Sequence, residues 1–210
     1  MVNKFMHVVD ELREHLPYSI FSVAIGMMFL GILTFISGIF GTGDISDPSK
    51  ELFHIFHPVH LLFSATATTA MFWRHDKGFV KAIVIGFIGS IGICGISDIF
   101  IPYLSGILLG VKMKLHICII EHPSLILPFL ITGIFAGFIV PDTTHKSTIF
   151  SHTAHVLVSS MASILYLIGF GLTEWVHVAG MVFVYMLLAV ILPCCTSDII
   201  FPLIFAEHKE

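Results

Sequence analysis

The sequence predicts an all-α integral membrane protein, with six transmembrane helices in a 3+3 inverted-topology repeat and a short N-terminal interfacial helix. Three observations carry that expectation. The 210 residues are 56% hydrophobic and 11% charged, with a mean hydropathy of +0.98, whereas a soluble domain averages about 25% charged residues. Windows free of Asp, Glu, Lys and Arg recur at 15–43, 52–73, 82–97, 99–111, 122–141, 147–173 and 175–197, near the roughly 20 residues that a helix needs to cross a bilayer. Finally, one set of polar residues is written twice in the same order.

The elements follow in chain order. Residues 1–16 carry Lys4, Asp10, Glu11, Arg13 and Glu14, and they space Val2, Phe5, Met6, Val9, Leu12 and Leu16 along one helical face. That is the pattern of an amphipathic helix lying in the interface, and it lacks the basic start and short apolar core of a cleavable leader. Spans are predicted over about 17–40, 54–73 and 79–104, making 17–110 the first three-helix unit. Further spans over about 123–141, 151–172 and 176–204 make 111–210 the second, within a single membrane domain. Helices are expected because backbone groups in lipid must be satisfied within the segment. Gly41 to Pro48 reads as a turn-rich connection whose Asp44 and Asp47 are solvated. Gly86, Gly89, Gly92 and Gly95 read as a stripe for close helix approach.

Lys and Arg set the orientation. With six spans, Lys4, Arg13, Arg74, Lys77, Lys81, Lys146 and Lys209 share one side, against Lys50, Lys112 and Lys114 on the other. That excess places both termini in the cytoplasm of a plasma (inner) membrane.

The duplicated set is Glu14-His15, His57-x-x-His60-x-x-x-Ser64 and Cys94-x-x-Ser97-Asp98-Ile99-x-x-Pro102. It returns as Glu121-His122, His152-x-x-His155-x-x-x-Ser159 and Cys194-x-x-Ser197-Asp198-Ile199-x-x-Pro202, at offsets of 107, 95 and 100 residues. A second three-span unit enters the membrane from the opposite side, so the repeat is inverted, an architecture common in transporters. On that topology His57, His60, Asp98, Glu121 and His122 gather near the outer face. Glu14, His15, His152, His155 and Asp198 gather near the cytoplasmic face.

These residue types point to metal. His57 and His60 are three apart and share a helix face, as do His152 and His155. A mixed imidazole and carboxylate set suits Zn²⁺, Fe²⁺, Mn²⁺, Co²⁺ or Ni²⁺. Ionisable groups at membrane depth are costly and are commonly functional. Cys94, Cys194, Ser64 and Ser159 are further candidate ligands, although buried Cys also serves as a small apolar filler and Ser can bond back to its own helix. The other histidines (His7, His75, His116, His145, His177 and His208) read as interfacial. His54 faces Ile149 in the repeat and reads as a solvent-side extra.

Three functions fit these features. A divalent-metal transporter explains matched clusters in inverted repeats. A two-haem b-type cytochrome would use the same histidines as axial ligands, although haem needs no carboxylate ligands. An intramembrane metal-dependent enzyme acting on lipid would use a metal-bound water. The first is the expected one, with the metal ion and the lipid bilayer as partners, and a non-enzymatic role. No nucleotide loop, zinc-protease motif or basic cluster for nucleic acid is present. A homo-oligomer is compatible with the sequence, which names neither a catalytic residue nor an organic cofactor site.

Overall fold

A computed structural model describes residues 2–41, 43–139 and 145–195; the side chains of 2–12, 14, 145–152, 192, 194 and 195 lie outside that description. Among the described residues the protein is helical throughout, without a strand. The helices are α1 (Val2–Ile39), α2 (Ser46–His75), α3 (Phe79–Gly95), α4 (Ile101–Leu108), α5 (Cys118–Glu121), α6 (Pro123–Ile139), α7 (His145–Gly169) and α8 (Ala179–Cys195). A π-helical turn, Ile96–Phe100, joins α3 to α4, so that Phe79–Leu108 is one continuous helical stretch. Each segment read as a span is helical over most of its described part, α1 ending at Ile39 and α7 at Gly169. The interfacial helix expected over 1–16 is, from Val2 onward, continuous with the first expected span, since α1 runs unbroken past Pro17.

Two stretches, His15–Ile39 and Phe79–Leu108, are long and apolar enough to cross a membrane, while Pro123–Ile139, Thr153–Gly169 and Val176–Ile191 are apolar but shorter. Large apolar side chains lie on the surface, and several polar ones lie within the apolar core. Phe35, Phe40, Val80 and Ile139 are 69%, 77%, 71% and 79% exposed, whereas His57, His60, Asp98, Ser64 and Ser159 are buried.

α2 is the central post, packed against α3, α6 and α7, while α1 packs against α7 and α8. Small residues let α2 and α6 come together. A Cβ added at Gly133 would lie 2.5 Å from the Leu62 carbonyl oxygen, and one at Gly137 would lie 2.8 Å from that of Thr66. Thr66 uses the approach, its hydroxyl donating to the carbonyls of Leu62 and Gly133 at 2.8 and 3.1 Å. One apolar cluster joins α1, α7 and α8 through Val23, Leu30, Ile164, Ile168 and Met186. A second joins α2 to α7 through Phe53, Leu61, Leu165 and Tyr166.

At the end of α4 the chain reverses. Gly110 has φ 79°, its N–H reaches the Ile107 carbonyl and the Val111 N–H reaches that of Gly106, the two bonds of a Schellman cap. The strand-like segment that follows is strapped to α7. The Lys114 N–H donates to the Phe170 carbonyl at 2.9 Å, and the His116 N–H donates to the Tyr166 hydroxyl at 3.0 Å.

Candidate metal centres

The buried polar groups of the bundle converge on Asp98. The π turn carries it, and three consecutive residues there, Ser97, Asp98 and Ile99, face the interior. A π turn widens the helix locally and is frequent at functional sites. Its loosened backbone is satisfied by a neighbour, since Ser163 of α7 donates its hydroxyl to the Ser97 carbonyl at 3.0 Å. Asp98 Oδ2 lies 2.8 Å from His57 Nδ1 and 2.7 Å from His60 Nδ1. An ionised carboxylate only accepts, so both rings carry hydrogen on Nδ1. The hydroxyls of Ser97 and Ser159 approach Oδ1 at 2.7 and 3.4 Å.

With hydrogen fixed on Nδ1, a neutral His60 ring keeps its lone pair on Nε2. That atom lies 2.8 Å from His155 Nε2 and 3.8 Å from Cys94 Sγ. A carboxylate behind one ring nitrogen is also the support that metal-bound histidines receive; here the other nitrogen of His60 faces His155. His60, His155 and Cys94 are all buried. His57 also stacks on Phe53, with ring centroids 5.1 Å apart.

A second cluster lies where α2, the segment after α4 and the start of α6 meet. His54 Nε2 is 3.0 Å from His116 Nε2, and the His122 ring lies 5.0 and 5.4 Å from those of His54 and His116. One ligand atom from each of the three falls within 4.8 Å of the others, so this group could hold a metal ion. Glu121 Oε2 stands 2.9 Å from His116 Nδ1. Burial lowers the His116 pKa below its ordinary 6.5, against the opposing pull of Glu121. For Glu121, burial acts to raise the carboxyl, but the neighbouring His116 outweighs it and the group is held below 4.5. Burial pushes the nearby Cys118 thiol up to about 12. The His116 ring stacks on Phe170 at 4.7 Å with an interplanar angle of 11°.

The structure therefore sorts the predicted residues differently from the topology argument. His57, His60 and Asp98 do meet. His155, expected at the opposite face, joins them directly through His60. Ser64 and Ser159 are buried along the same two helices. Glu121 pairs with His116, and His122 joins His54 and His116. His15 is partly buried on α1, its carbonyl accepting from the Ser19 hydroxyl at 3.2 Å. The side chains of Glu14, His152 and Cys194, and all of Asp198, lie outside the described residues.

His54 and His116 were the residues that the sequence reading passed over. His54 begins a His54-x-x-His57-x-x-His60 run on one helix face; matching it to Ile149 in the repeat hid that signal. His116 has no helical spacing to mark it. Comparisons with protein-family models, curated proteins and solved structures find no match, so function rests on the arrangement of these side chains.

Proposed function

We propose that the chain is an integral membrane transporter for a divalent transition metal, built as six spans in two inverted repeats, with the two polar clusters sharing one central site. The observation that carries this reading is the contact of two repeat-equivalent histidines. His60 and His155 stand 95 positions apart, the offset that also relates His57 to His152 and Ser64 to Ser159, and their Nε2 atoms are 2.8 Å apart. Equivalent residues can touch only near the axis relating their repeats.

Helix packing supports the same axis. Gly133 of α6 approaches Ala65 of α2, and Gly26 of α1 approaches Ser160 of α7. Gly26 and Gly133 are 107 positions apart, and Ala65 and Ser160 are 95 apart, matching the offsets of the polar motifs. Inverted-repeat transporters bind substrate near the bilayer midplane at the interface between repeats, where rocking of one half against the other exposes it to alternate sides. The apolar exterior and the two long apolar helices support a bilayer setting, and the charge excess supports cytoplasmic termini.

The ligands would be His60 Nε2, His155 Nε2 and Cys94 Sγ. Cys194 is the counterpart of Cys94 in the repeat, and its side chain lies outside the described residues. Imidazole with thiolate favours Zn²⁺ among the first-row ions. A tetrahedral ion with metal–nitrogen bonds of about 2.0–2.1 Å needs its nitrogens about 3.3 Å apart, so the two rings need to part only slightly. Haem fits less well. Trans axial ligands would stand about 4 Å apart across the iron, with a macrocycle between them, whereas His60 and His155 are in contact.

The test is metal flux into proteoliposomes loaded with a metal-sensitive dye. Uptake that is lost in His60→Ala and in His155→Ala supports the reading. Undiminished flux in both variants, or none in the wild type under any metal gradient, rejects it.

A further inference from the structure

The second histidine cluster lies away from the proposed axis. Phe53 stands between the two groups, its ring stacked on His57 at 5.1 Å and edge-on to His116 at 6.4 Å. We propose that His54, His116 and His122 form a separate, peripheral binding site for a borderline divalent ion of the Zn²⁺ class.

The geometry defines the ligating atoms. Glu121 accepts from His116 Nδ1 at 2.9 Å, which leaves the lone pair of the neutral ring on Nε2, the atom that faces His54 Nε2 at 3.0 Å. The carboxylate thus does for His116 what Asp98 does for His60, orienting the ring and raising its basicity toward a metal. Phe170 stacking and the Tyr166 hydroxyl on the His116 N–H hold that residue in place. His122 is exposed, His54 is partly buried and His116 is buried, so the site is anchored on its inner side and open on its outer side. Three imidazoles leave the fourth tetrahedral position to water or to an exchanging ligand, as in open zinc sites.

The site breaks the internal repeat. The offsets that relate the two halves map His54 to Ile149, His116 to Val9 and His122 to His15. Two of the three ligands have counterparts that cannot bind metal. The peripheral site therefore gives a polarity to a protein whose central site is built from both halves. An ion held there would also tie the 109–117 segment to α2 and α6. None of this depends on the protein being a transporter.

The experiment uses the full chain in detergent, stripped of metal with a chelator and titrated with Co²⁺ and with Zn²⁺. The wild type is expected to bind two equivalents. Co²⁺ at the peripheral site should give visible ligand-field bands without sulfur-to-cobalt charge transfer, which belongs to a site containing Cys94. His122→Ala, a change at an exposed ring, should remove one equivalent and leave any charge-transfer band intact. Glu121→Gln should keep the stoichiometry and weaken that equivalent about 10–100-fold. An unchanged stoichiometry and spectrum in His122→Ala overturns the proposal, as does a wild type that binds no metal. One equivalent lost in His122→Ala but not in His60→Ala upholds the peripheral site and removes the central one. The reverse pattern upholds only the central site.

Discussion

Asp98 is the most exacting place to test the central site, because a single carboxylate there serves four partners. Its Oδ2 accepts from His57 and His60 at 2.8 and 2.7 Å, and its Oδ1 faces the hydroxyls of Ser97 and Ser159 at 2.7 and 3.4 Å. Asp98→Asn keeps the shape. Its carbonyl oxygen can still accept from both rings, and its amide can donate to Ser97 Oγ. What it loses is the negative charge behind His60 Nδ1, and with it part of the basicity of Nε2. Losing such a supporting carboxylate costs about 10–100-fold in metal affinity, equivalent to about 1.4–2.8 kcal/mol. Asp98→Ala goes further, since it strands two imidazole N–H donors on rings that are only 3% and 1% exposed. Each buried, unpaired donor costs about 1–3 kcal/mol, so the fold should lose about 2–6 kcal/mol on their account. Zn²⁺ affinity measured by competition with a chromophoric chelator reads the first effect, and thermal unfolding followed by far-UV circular dichroism reads the second. The expected pattern is weakened binding with near-normal melting for Asp98→Asn, and weakened binding with a clearly lowered melting temperature for Asp98→Ala. Wild-type affinity in Asp98→Asn would refute the orienting role, and wild-type melting in Asp98→Ala would refute the buried hydrogen-bond geometry.

Three further outcomes follow from the packing and the electrostatics. Gly133→Ala should destabilise strongly, because its Cβ would meet the Leu62 carbonyl oxygen at 2.5 Å; Gly26→Ala should be mild, because its Cβ meets only the flexible tip of Ile164 at 2.6 Å. Comparing the melting temperatures of the two variants decides this, and equal losses would contradict it. Metal binding at the peripheral site should weaken on acidification, since each ligand ring must be neutral. Burial holds the His116 pKa below 6.5, so this ring stays neutral to a lower pH than an ordinary imidazole, and titrations across a pH series locate the loss of the ion. Cys118, with its thiol pushed up to about 12 by burial, should resist alkylation at neutral pH in the folded protein and react readily once the protein is unfolded, because the thiolate is the nucleophile. Mass spectrometry of the labelled Cys118 peptide reads this directly.

Much of the fold was legible in the chain. Charge-free windows located the two long apolar stretches, His15–Ile39 and Phe79–Leu108, and of the expected glycine stripe Gly86 sits close against Thr69 while Gly92 and Gly95 have nothing within 4 Å of an added Cβ. The His-x-x-His and Ser-Asp motifs flagged polar groups too costly to bury without purpose, and His57, His60 and Asp98 do come together as expected. The boundary at residue 16 was not legible in the same way, since the change from an amphipathic to an apolar pattern there is not a break in α1, which runs from Val2 to Ile39.

The sequence by itself determined which residues could act and which helix face each one occupies, because those properties depend on residue chemistry and on the 3.6-residue period alone. Tertiary structure decided which faces meet. It turned Asp98 inward on a π turn that no local pattern announces, and it paired His60 with His155, 95 positions away. It drew Glu121 to His116, and it assembled His54, His116 and His122 from three separate elements. The same holds for Gly26 and Gly133, which face a movable side chain in one case and a fixed carbonyl in the other. Periodicity is a property of one helix, whereas a site between helices depends on crossing geometry and register, and these are set by the packing of the whole bundle.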